Sequence, residues 1–138
     1  ERQMCIRDRY HGIHQDGDPV RNNRIEFITI ASQGDATDFG DLGSEGSGNG
    51  ACGDGVRGIF NIGYIAPSLQ TILEYVSIAE TGNSKDFGDL TEARMNMKGG
   101  VNSPVRGVWA GGQNPNATDT IDFIQINWFR WQKVGLIP

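Results

Sequence analysis

Two pairs of aspartates carry the first chemistry that this sequence could support. Asp38 and Asp41 stand three residues apart, and the same spacing returns at Asp86 and Asp89. Calcium binds several oxygen ligands at once, so these carboxylates are candidates for a calcium site. Each copy supplies only two carboxylates and lacks the Asp-rich loop of an EF-hand. We therefore expect these aspartates to cap backbone amides at strand ends, with calcium binding as the weaker alternative.

The other reactive side chains are isolated in the sequence. His11 and His14 could supply two metal ligands, but a third ligand is missing beside them. Cys52 has no neighbouring base, which favours a small buried side chain over a nucleophile. The triplet Asp-Phe-Gly at 38–40 and 86–88 binds magnesium in protein kinases, yet the other kinase motifs are missing. We predict no catalytic residue and no cofactor.

Charged residues recur at regular intervals along the chain. Glu26, Glu74 and Asp122 follow one another at one constant interval, and Arg57 and Arg106 are separated by nearly the same interval. Catalytic acids usually occur once, so this recurrence favours a structural role over that of a glycosidase-type acid. We expect the acidic residues to form buried or half-buried ion pairs with the two arginines.

Two segments have compositions that could indicate binding sites. Trp128, Phe129 and Trp131 form the densest aromatic cluster, which would suit either a sugar-stacking surface or a cap on an open sheet. Capping is favoured, and Trp128 and Trp131 remain candidate binding residues. The segment from Gly43 to Gly55 contains six glycines but no lysine, so it predicts a flexible loop rather than a phosphate-binding loop.

Composition limits the class of protein. The chain has 138 residues, enough for one domain or part of a larger one. Its 20 glycines are about twice the usual share, which favours short strands and turns over helices. A net charge of −5 without a basic run argues against nucleic acid as a partner. No apolar stretch approaches the roughly 18 residues of a membrane span, so we predict no membrane insertion.

An internal repeat positions these residues. Ile-Glu-Phe-Ile-Thr-Ile at 25–30 returns as Leu-Glu-Tyr-Val-Ser-Ile at 73–78 and as Ile-Asp-Phe-Ile-Gln-Ile at 121–126. The repeat unit spans about 48 residues, and a fixed period of this size is typical of stacked repeat architectures. Residues 1–9 resemble a translated sequencing-adapter scar and are expected to be non-native. The predicted division is 1–9 scar, 10–24 end of a partial repeat, 25–72 repeat 1, 73–120 repeat 2, and 121–138 start of a third repeat with a divergent terminus.

Each repeat predicts four strands. Apolar side chains alternate onto both faces of the strand that begins at Ile25, which indicates packing against a neighbour on each side. Gly and Asn at 80–83 predict a hairpin turn into the strand at 86–90. Further strands are expected at 105–112 and between 93 and 101. We predict an all-β chain of about two full four-stranded propeller blades plus partial ones, an incomplete propeller.

These motifs resemble the kelch repeat of β-propellers. An apolar strand followed by Gly111-Gly112, an aromatic at Phe123, a strand with an aromatic and a leucine, and Arg94 follow the kelch order. The sequence departs from that pattern in having Phe39 and Phe87 where kelch repeats usually have tryptophan. The first repeat also has Asn-Ile-Gly at 61–63 in place of the double glycine.

A more specific resemblance covers about residues 12–126. The runs Asp-Phe-Gly-Asp-Leu and Ile-Asp-Phe-Ile are similar to repeats of structural and tail-fibre proteins of marine bacteriophages. This resemblance implies a non-enzymatic virion protein, located on the virion, whose loops bind a host-surface glycan or protein. Further repeats or other copies would cover its open sheet edges. The loops expected to bind are 43–55, 95–104 and 113–120.

Two other functions compete with this one. A cellular kelch module for protein interaction would share the same repeats. A propeller enzyme acting on glycans would need unique polar residues in one place, and only His11, His14, Cys52 and Tyr64 are unrepeated candidates. The phage-type binding module is the favoured hypothesis.

Overall fold

The chain folds as a series of short β-strands. A computed structural model describes residues 2–6, 11–13, 19–20, 23–31, 33–97 and 100–126, and these ranges contain no helix. The predicted all-β class is therefore confirmed. In chain order the strands are β1 (Arg2–Ile6), β2 (His11–Ile13), β3 (Pro19–Val20), β4 (Arg24–Thr29), β5 (Thr37–Asp41), β6 (Gly50–Gly53), β7 (Arg57–Asn61), β8 (Tyr64–Ile65), β9 (Ser68–Leu69), β10 (Ile72–Ser77), β11 (Lys85–Asp89), β12 (Val101–Asn102), β13 (Arg106–Ala110), β14 (Gln113–Asn114), β15 (Asn116–Ala117) and β16 (Ile121–Gln125).

Three antiparallel sheets contain the longer strands. The central sheet has four strands in the order β11-β10-β7-β6. The first sheet has the order β1-β4-β5 and the third sheet the order β12-β13-β16. The predicted hairpin after residue 77 is present, because β10 pairs with β11 across the turn. The described strands do not form a closed propeller.

The three sheets repeat one plan. Strand β10 follows β4 at the same interval at which β11 follows β5, and this interval equals the period of the sequence repeat. Strand β13 follows β7 at nearly the same interval, and the short hairpin of β14 and β15 stands in the position of β8 and β9. The sequence period is thus also a period of secondary structure.

Two segments differ from the sequence expectation. The glycine-rich segment 43–55 is not a continuous flexible loop, because Gly50–Gly53 forms β6 and pairs with β7. The strand expected between 93 and 101 lies at its far end instead, where Val101–Asn102 pairs with β13. In β6, backbone pairing with the stronger strand β7 outweighs the low intrinsic strand propensity of Gly-Ala-Cys-Gly.

The N-terminal residues take part in the first sheet. Residues 2–6, which lie in the segment expected to be non-native, form β1 and pair with β4 from Arg2↔Thr29 to Ile6↔Ile25. An unpaired strand edge presents free N–H and C=O groups to any extended segment within reach. Residues 11–13 pair instead with Pro19–Val20. This part of the segment 10–24, which was expected to end a partial repeat, therefore does not lie beside β4.

The core consists of two layers on opposite faces of the central sheet. One layer, between the central and third sheets, contains Ile59, Leu73 and Trp109. The other layer, between the first and central sheets, contains Ile25, Phe60 and other apolar side chains. Neighbouring residues of β7 thus point into different layers, as the pleat requires. Packing on both faces, which was predicted for the strand that begins at Ile25, is present in the central sheet, whereas Ile28 in β4 and Ile30 directly after it are exposed on one face.

Candidate functional site

A buried ion pair lies where the central sheet meets the third sheet. Arg94 Nη2 lies 2.9 Å from Asp122 Oδ2, and both side chains are fully buried. These two atoms are close but not aligned as a hydrogen bond, so the contact is primarily one between charges. Thr91 donates a hydrogen bond to the other carboxylate oxygen of Asp122 at 2.5 Å, and Arg94 Nε lies 2.8 Å from Met97 Sδ. This arrangement joins the chain segment after β11 to β16.

The predicted partner of Asp122 was wrong. The repeated acidic residues were expected to pair with Arg57 or Arg106, whereas Asp122 pairs with Arg94. Arg57 lies over the ring of Tyr75 at 5.5 Å and donates to the carbonyl oxygen of Ile126 at 3.0 Å. Cation–π contact with the neighbouring strand explains why an arginine recurs at this position.

The equivalent contact between the first and central sheets is built differently. Glu74, at the position of Asp122, accepts hydrogen bonds from Gly43 N at 2.9 Å and Ser84 Oγ at 2.5 Å. Gly46 stands where the next repeat has Arg94. A backbone amide and a hydroxyl therefore satisfy Glu74, which is nearly buried. Glu74 and Asp122, two of the three recurring acids, thus act in sheet packing.

The four aspartates proposed for calcium lie at strand ends. Asp86 Oδ1 accepts a hydrogen bond from Gly88 N at 3.1 Å, and Asp89 Oδ1 accepts one from Thr71 Oγ1 at 2.6 Å. Asp38 is exposed, and the backbone N–H of Asp41 donates to the Asn83 side chain. Within the described ranges no group of three His, Cys, Asp or Glu side chains is arranged to hold a metal ion.

Cys52 is a packing residue. Its side chain is buried against the backbones of Gly100 and Gly107, where a Cβ atom would collide with it. Burial, with a smaller effect from Asp54, raises the pKa of this thiol to about 12. A thiol that stays protonated is a poor nucleophile, so the predicted buried role is confirmed.

The connecting segments at one end of the sheets form a continuous surface, which we call the loop end. It comprises residues 43–49, 62–71, 95–97 and 111–120. Isolated bridges join Ser47 to Tyr64 and Met95 to Gln113. The backbone N–H of Asn96 donates to Gly48 O at 3.1 Å, linking the surfaces of two neighbouring repeats. The hairpin turns of the sheets lie at the opposite end.

Amide side chains concentrate on the loop end. Asn96, Asn114 and Asn116 are exposed, and Gln113 is half-buried between them. Asn96 Nδ2 donates to Gln113 Oε1 at 3.2 Å. An amide offers donors and acceptors together, so this group can bind hydroxyl-rich or peptide ligands. Segments 95–104 and 113–120 were among the loops expected to bind, but the sequence pattern did not single out these amides.

A shallow groove lies at the opposite end, along the β10–β11 hairpin. It has a volume of about 100 Å³ and is lined by Tyr75, Glu80, Lys85 and their neighbours. Its residues come from one hairpin and place no cluster of reactive groups together. Of the remaining candidates, His14, Trp128 and Trp131 lie outside the described residues, and His11 lies in β2.

Comparison with known proteins does not assign a family. No protein-family model matches the chain, and no curated protein matches it. The part of the chain that the structure describes contains no helix able to cross a membrane.

Proposed function

We propose that this chain is a non-enzymatic binding module built from kelch-like propeller blades, of the type used as virion structural or tail-fibre proteins. The observation that carries the proposal is the structural use of its repeated charged groups. Asp122 pairs with Arg94, and Glu74 is held by Gly43 and Ser84, so two of the three recurring acids stabilise sheet contacts. The loop end is the surface best suited to recognition.

The amides of the loop end favour a host-surface glycan as the ligand. Sugar hydroxyls both donate and accept hydrogen bonds, and the side chains of Asn96, Gln113, Asn114 and Asn116 do the same. Loops held by a rigid scaffold are also where binding residues concentrate in proteins. The phage resemblance supports a virion protein that binds a bacterial surface glycan, and a host protein is the alternative ligand.

A glycan array that includes bacterial surface polysaccharides tests this function. We expect the purified chain to bind a subset of the arrayed glycans. The substitutions Asn114→Ala and Asn116→Ala should weaken this binding at least threefold. Gln33→Ala is the matched control, since Gln33 is an exposed amide on the β4–β5 hairpin at the opposite end. If Gln33→Ala lost as much glycan binding as the Asn114 and Asn116 variants, the placement of the site at the loop end would be contradicted. Absence of retention on every glycan would contradict the glycan proposal.

A further inference from the structure

The two outer sheets expose apolar residues at positions that are buried inside the molecule. Ile121 on β16 is 49% exposed, whereas its counterparts Leu73 and Ile25 are 0% exposed. Ile28 on β4 is 38% exposed, whereas its counterparts Val76 and Ile124 are 3% and 5% exposed. The repeat therefore keeps an interface residue apolar even where the described sheets leave it uncovered.

The exposed face of the third sheet, here called face C, copies a buried face of the central sheet. Strand pairing aligns Val101, Val108 and Phe123 in one row across the third sheet. In the central sheet the corresponding row is Cys52, Ile59 and Tyr75. That row packs against the third sheet, in the core layer that contains Trp109. Face C thus has the composition of a surface that receives a further sheet. Its residues are Val101, Val108, Ile121 and Phe123.

The exposed face of the first sheet, here called face N, corresponds to the face by which the third sheet packs on the central sheet. It contains Ile28 and Ile30. Their counterparts Ile124 and Ile126 are buried against the central sheet, in the same layer as Leu73. Face N has therefore the composition of the sheet that would be placed on a face of type C.

We propose that a second copy of this chain binds head to tail, with its face N packed on face C of the first. The two internal contacts between sheets are the template. Between the central and third sheets, the face with Leu73 packs against the face with Ile124. Between the first and central sheets, the face with Ile25 packs against the face with Val76. Two different patches meet in such a contact, so a pair of copies still leaves one face C and one face N open. Association then continues into a closed ring or an open filament.

Exposure of both faces supports the proposal energetically. Contiguous exposed apolar surface on a folded protein usually marks an interaction site, and burying it is favourable by roughly 25 cal/mol per Å². Four of the six large exposed apolar residues in the described ranges lie on the two faces. The inference depends on sheet packing alone, so it can fail while the proposed glycan binding stands.

Light scattering coupled to size-exclusion chromatography tests the proposal across a concentration series. We expect the unmodified chain to exceed its monomer mass of 15.0 kDa, with a mass that increases with concentration. Ile28→Glu disrupts face N and Ile121→Glu disrupts face C, so each variant alone is expected to stay monomeric. Val56→Glu is the matched control, because Val56 is 65% exposed at the tip of the β6–β7 turn and lies on neither face.

Mixing the two variants separates head-to-tail from face-to-face binding. Ile28→Glu retains face C and Ile121→Glu retains face N, so an equal mixture should form a heterodimer of twice the monomer mass and nothing larger. A dimer formed by either variant alone would overturn the head-to-tail arrangement. A monomeric unmodified chain at every concentration would overturn self-association. Circular dichroism and the milder variants Ile28→Thr and Ile121→Thr show whether a variant remains folded, and the Thr variants should weaken association at least tenfold.

Discussion

The acidic position of the repeat stabilises two different sheet contacts, and it does so by different means in each. Asp122 is compensated by a full charge on Arg94, while Glu74 is compensated by an amide and a hydroxyl. Removing one partner of a buried ion pair leaves an uncompensated charge, which costs about 3–5 kcal/mol. Removing a single hydrogen-bond acceptor costs about 1–3 kcal/mol. The two repeats should therefore respond unequally to the same change.

The substitutions Asp122→Asn and Glu74→Gln test this difference at the residue scale. Each replaces a carboxylate by the amide of the same size. We expect Asp122→Asn to lower the free energy of unfolding by about 3 kcal/mol or more, because Arg94 stays charged and buried. Glu74→Gln should cost about 1 kcal/mol, since the Gln oxygen can still accept from Gly43 N. Urea unfolding followed by circular dichroism measures both. Equal losses would contradict the charge-pair account.

Arg94 also shows what a single sequence conceals. The recurrence of the acidic residues was visible, but their partners were assigned to arginines that also recur. The actual partner stands in a segment with a weak strand pattern and has Gly46 at the equivalent position. The signal that could have found it is the kelch-like arginine itself. A buried charge needs compensation, but only the three-dimensional fold decides which opposite charge is near.

At the scale of elements, the contact between a hairpin and the neighbouring sheet depends on one glycine. The backbone N–H of Gly82 donates to Phe39 O at 2.7 Å, and that of Ser84 donates to Asp41 O at 2.9 Å. The β10–β11 hairpin thus lies directly on β5. A Cβ atom at Gly40 would collide with the carbonyl group of Gly82. The first and central sheets can approach this closely only because residue 40 has no side chain.

Gly88 supplies a matched control for that contact. It occupies the same repeat position with φ +139°, against +149° for Gly40, but a Cβ atom there meets nothing within 4 Å. Both Gly40→Ala and Gly88→Ala should carry similar backbone strain. We expect Gly40→Ala to destabilise the protein by a further 1–3 kcal/mol or so because of the collision. Thermal and urea unfolding compare the two. Equal destabilisation would mean that the hairpin contact is dispensable.

The strands that the sequence predicted well are those with strong apolar alternation. The segments at 25–30, 73–78 and 105–112 have β-branched and aromatic residues between turn signals, and strands occupy all three. Strand β6 was missed because Gly-Ala-Cys-Gly has low strand propensity and few side chains. Its position is set by tertiary packing. Cys52 fills the space left by Gly100 and Gly107, which local sequence does not reveal.

At the scale of the whole molecule, the central sheet is shared by both core layers. Ile59 belongs to the layer facing the third sheet, and Ile62 belongs to the layer facing the first sheet. The two-sided apolar pattern predicted this stacking of sheets. The number of sheets in a complete assembly depends on contacts between sheets, and a strand pattern does not encode that number. Stacked repeats are stabilised by their own folding and by contacts with nearest neighbours.

Cooperation between the two layers is testable with a matched pair of substitutions. Ile59 and Ile62 are both 0% exposed, so Ile59→Val and Ile62→Val each remove one buried methyl group. Each should lower the free energy of unfolding by about 0.5–1.5 kcal/mol. Because the central sheet links the layers, we expect both variants to shift one common transition. Trp109, which is buried in the layer of Ile59, reports that transition by fluorescence.

The experiment uses a background in which Trp128 and Trp131 are replaced by phenylalanine, so that Trp109 is the single tryptophan and can be excited selectively. Far-UV circular dichroism follows all three sheets in the same samples. If the fluorescence midpoint and the circular dichroism midpoint shift together in Ile59→Val and also in Ile62→Val, the two layers form one cooperative unit. If Ile62→Val shifted the circular dichroism midpoint but left the Trp109 midpoint unchanged, the layers would unfold independently. The first sheet would then separate from the other two before they unfold.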